Sequence, residues 1–213
     1  RAMTAPHTPS QPMVGAGWML GEVATITAMI ASVRYVSDAI PPHEIVVFRG
    51  LFGLLVQLPW LLRVGLDGIR PSRPALIGLR SAFACAGMLV WFVALSAMPI
   101  SDAVALAFTS PLFAILGAGI ILREKVGARR WAVALIGFCG ALIMIRPGYV
   151  AFNLMALFAM TSALMNAGVQ LTTKRLAGAA SGEALAFYMN SGLIVGGIGF
   201  AIGDWVAPAW ADL

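Results

Sequence analysis

Apolar residues run along this chain in seven long blocks, 14–36, 44–63, 74–97, 100–122, 128–146, 150–173 and 184–206, separated by short polar connections. Each block is about 19 to 24 residues long. At about 1.5 Å per helical residue, roughly 20 residues cross a hydrocarbon core of about 30 Å. A helix of a water-soluble protein keeps one polar face, whereas these blocks are apolar nearly all round. The pattern predicts an all-α, polytopic membrane helical bundle with seven spans in view. The connections are brief: SDAIPPH with its Pro41–Pro42 pair, VGLDGIRPSR at 64–73, a tight turn at Pro99, REKVGARR, and RPGYV at 146–150. Links this short make consecutive helices antiparallel neighbours and leave no room for a separate catalytic domain.

Composition agrees with a membrane-embedded chain: 60% hydrophobic, 11% charged, mean hydropathy +0.90. A soluble domain carries about 25% charged residues. The net charge of +5 would suggest nucleic acid in a soluble chain, but its distribution gives it another meaning. With the N-terminus placed in the cytoplasm, that side holds Arg1, Arg63, Arg70, Arg73, Arg123, Lys125, Arg129, Arg130, Lys174 and Arg175. Only Arg34 and Arg146 fall on the opposite side, and Arg49 and Arg80 lie inside spans. Ten against two is a strong positive-inside bias. Residues 1–13, with RAMTAPHTPSQP, lack the order of a signal peptide and read as a disordered cytoplasmic tail. Arg1 at one end and Leu213 just past the seventh block read as the ends of a fragment. Cys85 and Cys139 sit within spans without metal-ligand spacing, and His7 and His43 are the only histidines. Neither a metal nor a cofactor is expected.

A weak internal repeat adds a topological clue. A shift of 139 residues sets Glu44 on Glu183, Phe48 on Phe187 and Ala24 on Ala163. The offset is five spans, an odd number, so the sixth span crosses the membrane in the opposite sense to the first. That is an inverted repeat, a plan that places solute sites near the midplane where the repeats meet. Two stretches then resemble a known family. ISDAVALAFTSPLFAILGAGIILREKVGARRWAVALIGFCGALIMIRPG, residues 100–148, has a fourth helix ending in acidic Glu124, a basic turn, and a Gly-rich fifth helix ending in RPG. PPHEIVVFRG, residues 41–50, contains Arg49 near the opening of the second helix. From about Gly15 to Trp205 the chain resembles an EamA-type member of the drug/metabolite transporter superfamily. The resemblance implies ten helices in two inverted halves (5+5): a first five-helix repeat at 14–148 and, at 149–213, two helices of a second.

Ionisable groups inside a membrane cost roughly 2.5–3.5 kcal/mol on insertion scales, so each asks for an explanation. Glu22 lies well inside the first span, on a face with Thr25, Met29 and Ser32. It is either a proton-coupling or cation-binding carboxylate or the partner of an arginine on another helix. Arg49 shares a stripe with Gly53 and Gln57; it could bind a carboxylate or phosphate, pair with Glu22 or Glu44, or snorkel outward. Arg80, nearer a helix end, favours snorkelling. Ser162, Asn166, Gln170 and Thr173 form a polar stripe on the sixth span that must face protein or water. Trp91 shares a face with Arg80, Ala84 and Gly87 and could wall a cavity. Of Tyr188 and Asn190, only one can be well placed on a single face. Pro111 interrupts the fourth span within FTSPLF and is the candidate hinge. GxxxG spacings at Gly17/Gly21, Gly192/Gly196 and Gly199/Gly203 signal close helix packing. The Glu124–Arg130 turn is expected to set topology and to meet lipid headgroups.

Together these features predict a secondary active transporter, and not an enzyme, that moves a small metabolite or drug-like molecule across a bacterial-type cytoplasmic (inner) membrane, with proton coupling as a candidate. Glu22, Arg49, Trp91, Asn166 and Gln170 are the expected lining of the pathway. The expected partners are the small-molecule substrate and the bilayer, with a homodimer left open and no nucleic acid. An intramembrane enzyme acting on lipid is the rival, but GxSxG and HExxH are both missing. A non-transporting membrane fragment is the other alternative.

Overall fold

The computed structural model describes residues 12–37, 40–70, 73–124, 126–145 and 154–201. These hold α1 (Pro12–Val36), α2 (Pro42–Val64), a 3-10 turn (Leu66–Ile69), α3 (Pro74–Ala97), α4 (Ile100–Ala107), α5 (Ser110–Ile121), α6 (Ala128–Ile145), α7 (Leu154–Leu176) and α8 (Gly182–Ala201). No strand occurs among the described residues. The tail before Pro12, Lys125, the RPGYV link and residues 202–213, with Gly203, lie outside them.

Local chemistry sets the helix ends. Prolines open α2 and α3, and Pro99 precedes α4, positions where a missing N–H leaves nothing unpaired. Gly65 and Gly178 close α2 and α7 at φ 70° and 78°, in the left-handed region that a residue without a Cβ enters freely. After α5 the same turn is made by Arg123 at φ 53°, which costs an L-residue roughly 1–2 kcal/mol. It brings the Glu124 N–H to the Ala118 carbonyl at 3.1 Å.

Among the described residues, length and hydropathy qualify five segments to cross a membrane: Met13–Val36, Pro42–Val64, Pro74–Ala97, Ile100–Ile121 and Leu154–Leu176. The other two expected spans correspond to α6 and α8, helices of 18 and 20 residues. The far ends of those two blocks, Arg146 and 202–206, fall outside the described residues. The fourth block is not one continuous helix. It breaks at Phe108–Thr109, just before Pro111, with the Phe108 and Thr109 amides bonding back to Ala105 and Leu106 at 3.2 and 3.0 Å. Proline cannot donate to the preceding turn, and its ring crowds the carbonyl four residues back, so the ladder opens there.

The core lies along α3. Val33, Val46, Phe92, Leu95, Ala103, Ala159 and Leu193 gather around it from six helices. α3 and α7 fit by reciprocal exchange of large and small residues. A Cβ on Gly87 would stand 3.0 Å from Met165 Cβ, and one on Gly168 would stand 2.9–3.1 Å from the Phe83 ring. Lipid tails are as apolar as leucine, so such close fits and interhelical hydrogen bonds hold membrane helices together. In α8, Gly192 and Gly196 press on Ser81 and Cys85 of α3, and Gly197 presses on Val47 of α2. In α1, nothing lies within 4 Å of where a Cβ on Gly17 or Gly21 would stand. α1 joins the bundle near its C-terminal end, through buried Val33 and through Met29 and Ile30. There Arg34 donates to the carbonyls of Leu95 and Ser96 at the end of α3.

Candidate functional site

Several polar side chains lie within the helices, where lipid would leave them unsatisfied. Ser110 sits at the break between α4 and α5 and is 6% exposed. Its hydroxyl accepts from Gln170 Nε2 of α7 at 3.3 Å, and the same amide nitrogen donates to Asn166 Oδ1 at 3.2 Å. Asn166 and Gln170 are both exposed. Two exposed carboxamides on a packed helix are chemistry for hydrogen-bonding a solute.

A second polar group joins α2 to α8. Asn190, 7% exposed, donates through Nδ2 to Gln57 Oε1 at 3.3 Å. Gln57 Nε2 in turn reaches the Glu183 carbonyl at 3.4 Å. Gly53 makes room for this contact: a Cβ there would stand 2.5–2.7 Å from the Asn190 carboxamide. Arg49 lies one turn before Gly53 on the same stripe and is half-buried, with no hydrogen bond or ion pair among the described residues.

Arg80 has acceptors on two neighbouring helices. Its Nε donates to Thr173 Oγ1 at 2.8 Å and its Nη1 to the Leu185 carbonyl at 3.1 Å, so one guanidinium ties α3 to α7 and α8. Nearer the helix ends, Lys174 pairs with Glu124, Arg175 Nη2 donates to the Ile121 carbonyl at 2.8 Å, and Arg73 reaches the Arg175 carbonyl at 3.4 Å. Three consecutive residues of α7, Thr173, Lys174 and Arg175, thus each bind a neighbouring segment. The Glu124 turn, expected to serve topology and lipid, here joins α5 to α7.

The five expected pathway residues do not form one cluster. Asn166 and Gln170 stand together beside Ser110. Arg49 belongs to the α2–α8 group. Trp91 is half-buried and packs on the α3 core. Glu22 lies on the exposed part of α1, with no partner among the described residues. The stripe on the sixth span divides: Ser162 is buried and Thr173 takes the hydrogen bond from Arg80. Of the pair on the seventh span, Asn190 faces α2, while Tyr188 donates its hydroxyl hydrogen to the Ile69 carbonyl. The Gln57–Asn190 contact was not foreseen; its only signal was Gln57 on the Arg49 stripe. Glu44, fully buried in the first turn of α2, is a second intramembrane acid that periodicity left among the alternatives. A cavity of about 730 Å³ runs between α3 and α8, lined by small and apolar residues with His43, Ser81 and Cys85 among them.

The model of the EamA-like transporter family matches residues 13–146. The riboflavin transporter of Rhizobium johnstonii is 34% identical over 209 residues, 96% of this chain and 69% of that protein. The S-adenosylmethionine uptake transporter of Rickettsia bellii is 28% identical, over 94% of this chain and 69% of that protein. One crystal structure superposes with a TM-score of 0.65 at 21% identity, covering 87% of this chain and 66% of its own, which supports the helical fold alone. The chain therefore spans about two thirds of the length of the proteins it matches. With the family model over most of its residues and a one-third-identical relative along nearly all of it, this chain belongs to the EamA-like transporter family.

Proposed function

We propose that this chain carries a small, partly aromatic metabolite across the bacterial cytoplasmic membrane, its N-terminus inside, as part of a ten-helix inverted-repeat transporter. The observation that carries this reading is the break in the α4–α5 span. A discontinuous helix opens at mid-depth beside the exposed carboxamides of Asn166 and Gln170, the arrangement a membrane carrier uses to present hydrogen-bonding groups to a solute. The α3–α8 cavity has the size of a small-molecule site, about 300–1,000 Å³ in general, and its apolar lining suits a ring system. Pro111 is the hinge in this scheme, and the α7 contacts to Glu124 and Ile121 hold the cytoplasmic end closed. Glu22, on the uncovered face of α1, couples movement to protons. Trp91 supports the wall from the core side, and Arg49 supplies the positive group.

Riboflavin and S-adenosylmethionine are the two probes, since relatives are named for them. Uptake into vesicles holding the full chain, driven by an inward proton gradient, tests the reading. Gln170→Leu should lower the initial rate by about tenfold or more while the protein stays inserted, because a hydrogen bond to substrate is lost and Ser110 is left unpaired. Equal rates for wild type and variant with both probes would remove this site from the pathway.

A further inference from the structure

One end of the α3–α8 cavity is polar and the rest is not. Pairs of close contacts fix the helix directions around it. Gly87 meets Met165 and Phe83 meets Gly168, so α7 runs against α3; Ser81 meets Gly192 and Cys85 meets Gly196, so α8 runs with α3. Gly53 meets Asn190 and Val47 meets Gly197, so α2 runs against α8. The starts of α2 and α7 therefore lie beside the ends of α3 and α8. His43, in the first turn of α2, shares that level with Val93, Phe158 and Phe200 of the cavity wall. From Val93 the wall continues along α3 back to Gly78, roughly 22 Å at about 1.5 Å per helical residue.

Of the polar side chains on this wall, two are already engaged. Ser81 Oγ donates to the Tyr188 carbonyl at 3.1 Å, and the Cys85 thiol is pressed onto Gly196. His43 Nε2 is buried without a hydrogen-bond partner among the described residues. A buried polar atom left unpaired costs free energy until something bonds it. The long flank is apolar and open. Gly78, Ala82 and Ala86 on α3 and Val195 on α8 are exposed there, on the lateral surface that a membrane bundle turns to lipid. The tails of one leaflet fill about 15 Å, half of a core of roughly 30 Å, so the groove takes a whole tail with its head at His43. A compact polar solute would leave most of that length bare. We propose that the α3–α8 cavity seats one acyl tail of a bilayer phospholipid whose ester or phosphate oxygen accepts from His43 Nε2. Resting on the transporter reading above, the same lipid fills the space of the solute's ring, and the ring enters by displacing it.

The test is photo-labelling of the full chain in nanodiscs of phosphatidylcholine that carries a diazirine within one acyl tail. Adducts are located by mass spectrometry of peptides. Wild type should be labelled severalfold more on the groove walls, at Ala82, Ala86 and Val195, than on the exposed face of α1 around Val23. His43→Leu should lower the groove adducts about fivefold, the loss of one hydrogen bond. His43→Gln, which keeps a donor, should retain most of them and guards against a folding artefact. Ala86→Trp puts a large side chain at an exposed wall position and should displace the tail while the melting temperature holds. Equal labelling of groove and α1, or groove adducts that survive both His43→Leu and Ala86→Trp, would overturn the site. A groove without adducts in a chain that runs as a dimer by native mass spectrometry would assign it to a second copy and overturn it as well. Excess riboflavin should reduce the groove adducts. Adducts that persist under riboflavin, with the His43 dependence intact, would sink the ring site of the carrier reading and leave the lipid site.

Discussion

α1 and α7 are alike as sequences and opposite as structures. Their candidate spans, Met13–Val36 and Leu154–Leu176, have mean hydropathies of 1.4 and 1.5 over 24 and 23 residues, and both carry hydroxyl groups in the apolar run. In α1 the hydroxyls turn back on their own helix: Thr25 to the Gly21 carbonyl at 2.8 Å, Thr27 to Val23 at 2.8 Å, and Ser32 to Ala28 at 2.9 Å. In α7 the hydroxyls also bond back, Thr161 to Leu157 at 2.8 Å, Thr172 to Gly168 at 2.7 Å and Thr173 to Val169 at 2.7 Å, but Thr173 accepts as well from Arg80 of α3, and Gln170 donates to Ser110 of α5. None of the apolar window of α1 is buried, against 22% of that of α7. Hydropathy selects helices that tolerate lipid; it does not select neighbours, because lipid and protein solvate an apolar side chain almost equally well. What separates the two helices is whether glycines and polar groups meet complementary ones across the gap.

The sharpest way to break this comparison is to enlarge a glycine in each helix. Gly168→Leu should destabilise the detergent-solubilised protein by about 1–3 kcal/mol, because Phe83 already touches the space the new side chain needs. Gly17→Leu should leave the melting temperature unchanged, since nothing lies within 4 Å of that position. Equal losses from both would mean that α1 is packed as tightly as α7 in solution.

Replacing polar groups sharpens the contrast. Arg80→Leu removes two interhelical hydrogen bonds and should cost on the order of 1–2 kcal/mol in a denaturant titration. Glu22→Gln should barely move stability, while pH-driven uptake disappears; retained uptake would take Glu22 out of proton coupling. The Glu124–Lys174 pair is the next step down. Both side chains are substantially exposed, 49% for Lys174 and 34% for Glu124, so either charge reversal alone should cost no more than about 1 kcal/mol. The double reversal Glu124→Lys with Lys174→Glu should restore stability, and a deficit that persists would place the contact outside the α5–α7 latch. The smallest effect is expected for Thr25→Val, near zero by thermal melt, because that hydroxyl bonds only within α1.

Much of the fold was legible from local pattern. Where the block ends are described, they fall within three residues of helix ends, because proline starts, glycine stops and apolar run length all act locally. The break in the fourth block was foreseeable from Pro111, although its place, at Phe108–Thr109, depended on which carbonyls the following turn could still reach. The site was less legible. Asn166 and Gln170 lie four residues apart, so helical period pairs them. The partner Ser110 is 60 residues away, and periodicity carries no information about it. The partners of Arg80 are illegible for the same reason: Thr173 and the Leu185 carbonyl lie 93 and 105 residues on.

By itself the sequence determined that this chain is a membrane helical bundle, where most of its described helices begin and end, and which polar residues had to be accounted for within the bilayer. Those properties follow from hydropathy and backbone capping, which are local. Only the tertiary structure decided which of those residues meet. Asn190 finds Gln57 across 133 residues because Gly53 has no side chain to keep it out, and Arg49 on the same stripe is left without a partner among the described residues. Such pairings depend on the shape of two helix surfaces at once, and a single span does not contain the second surface.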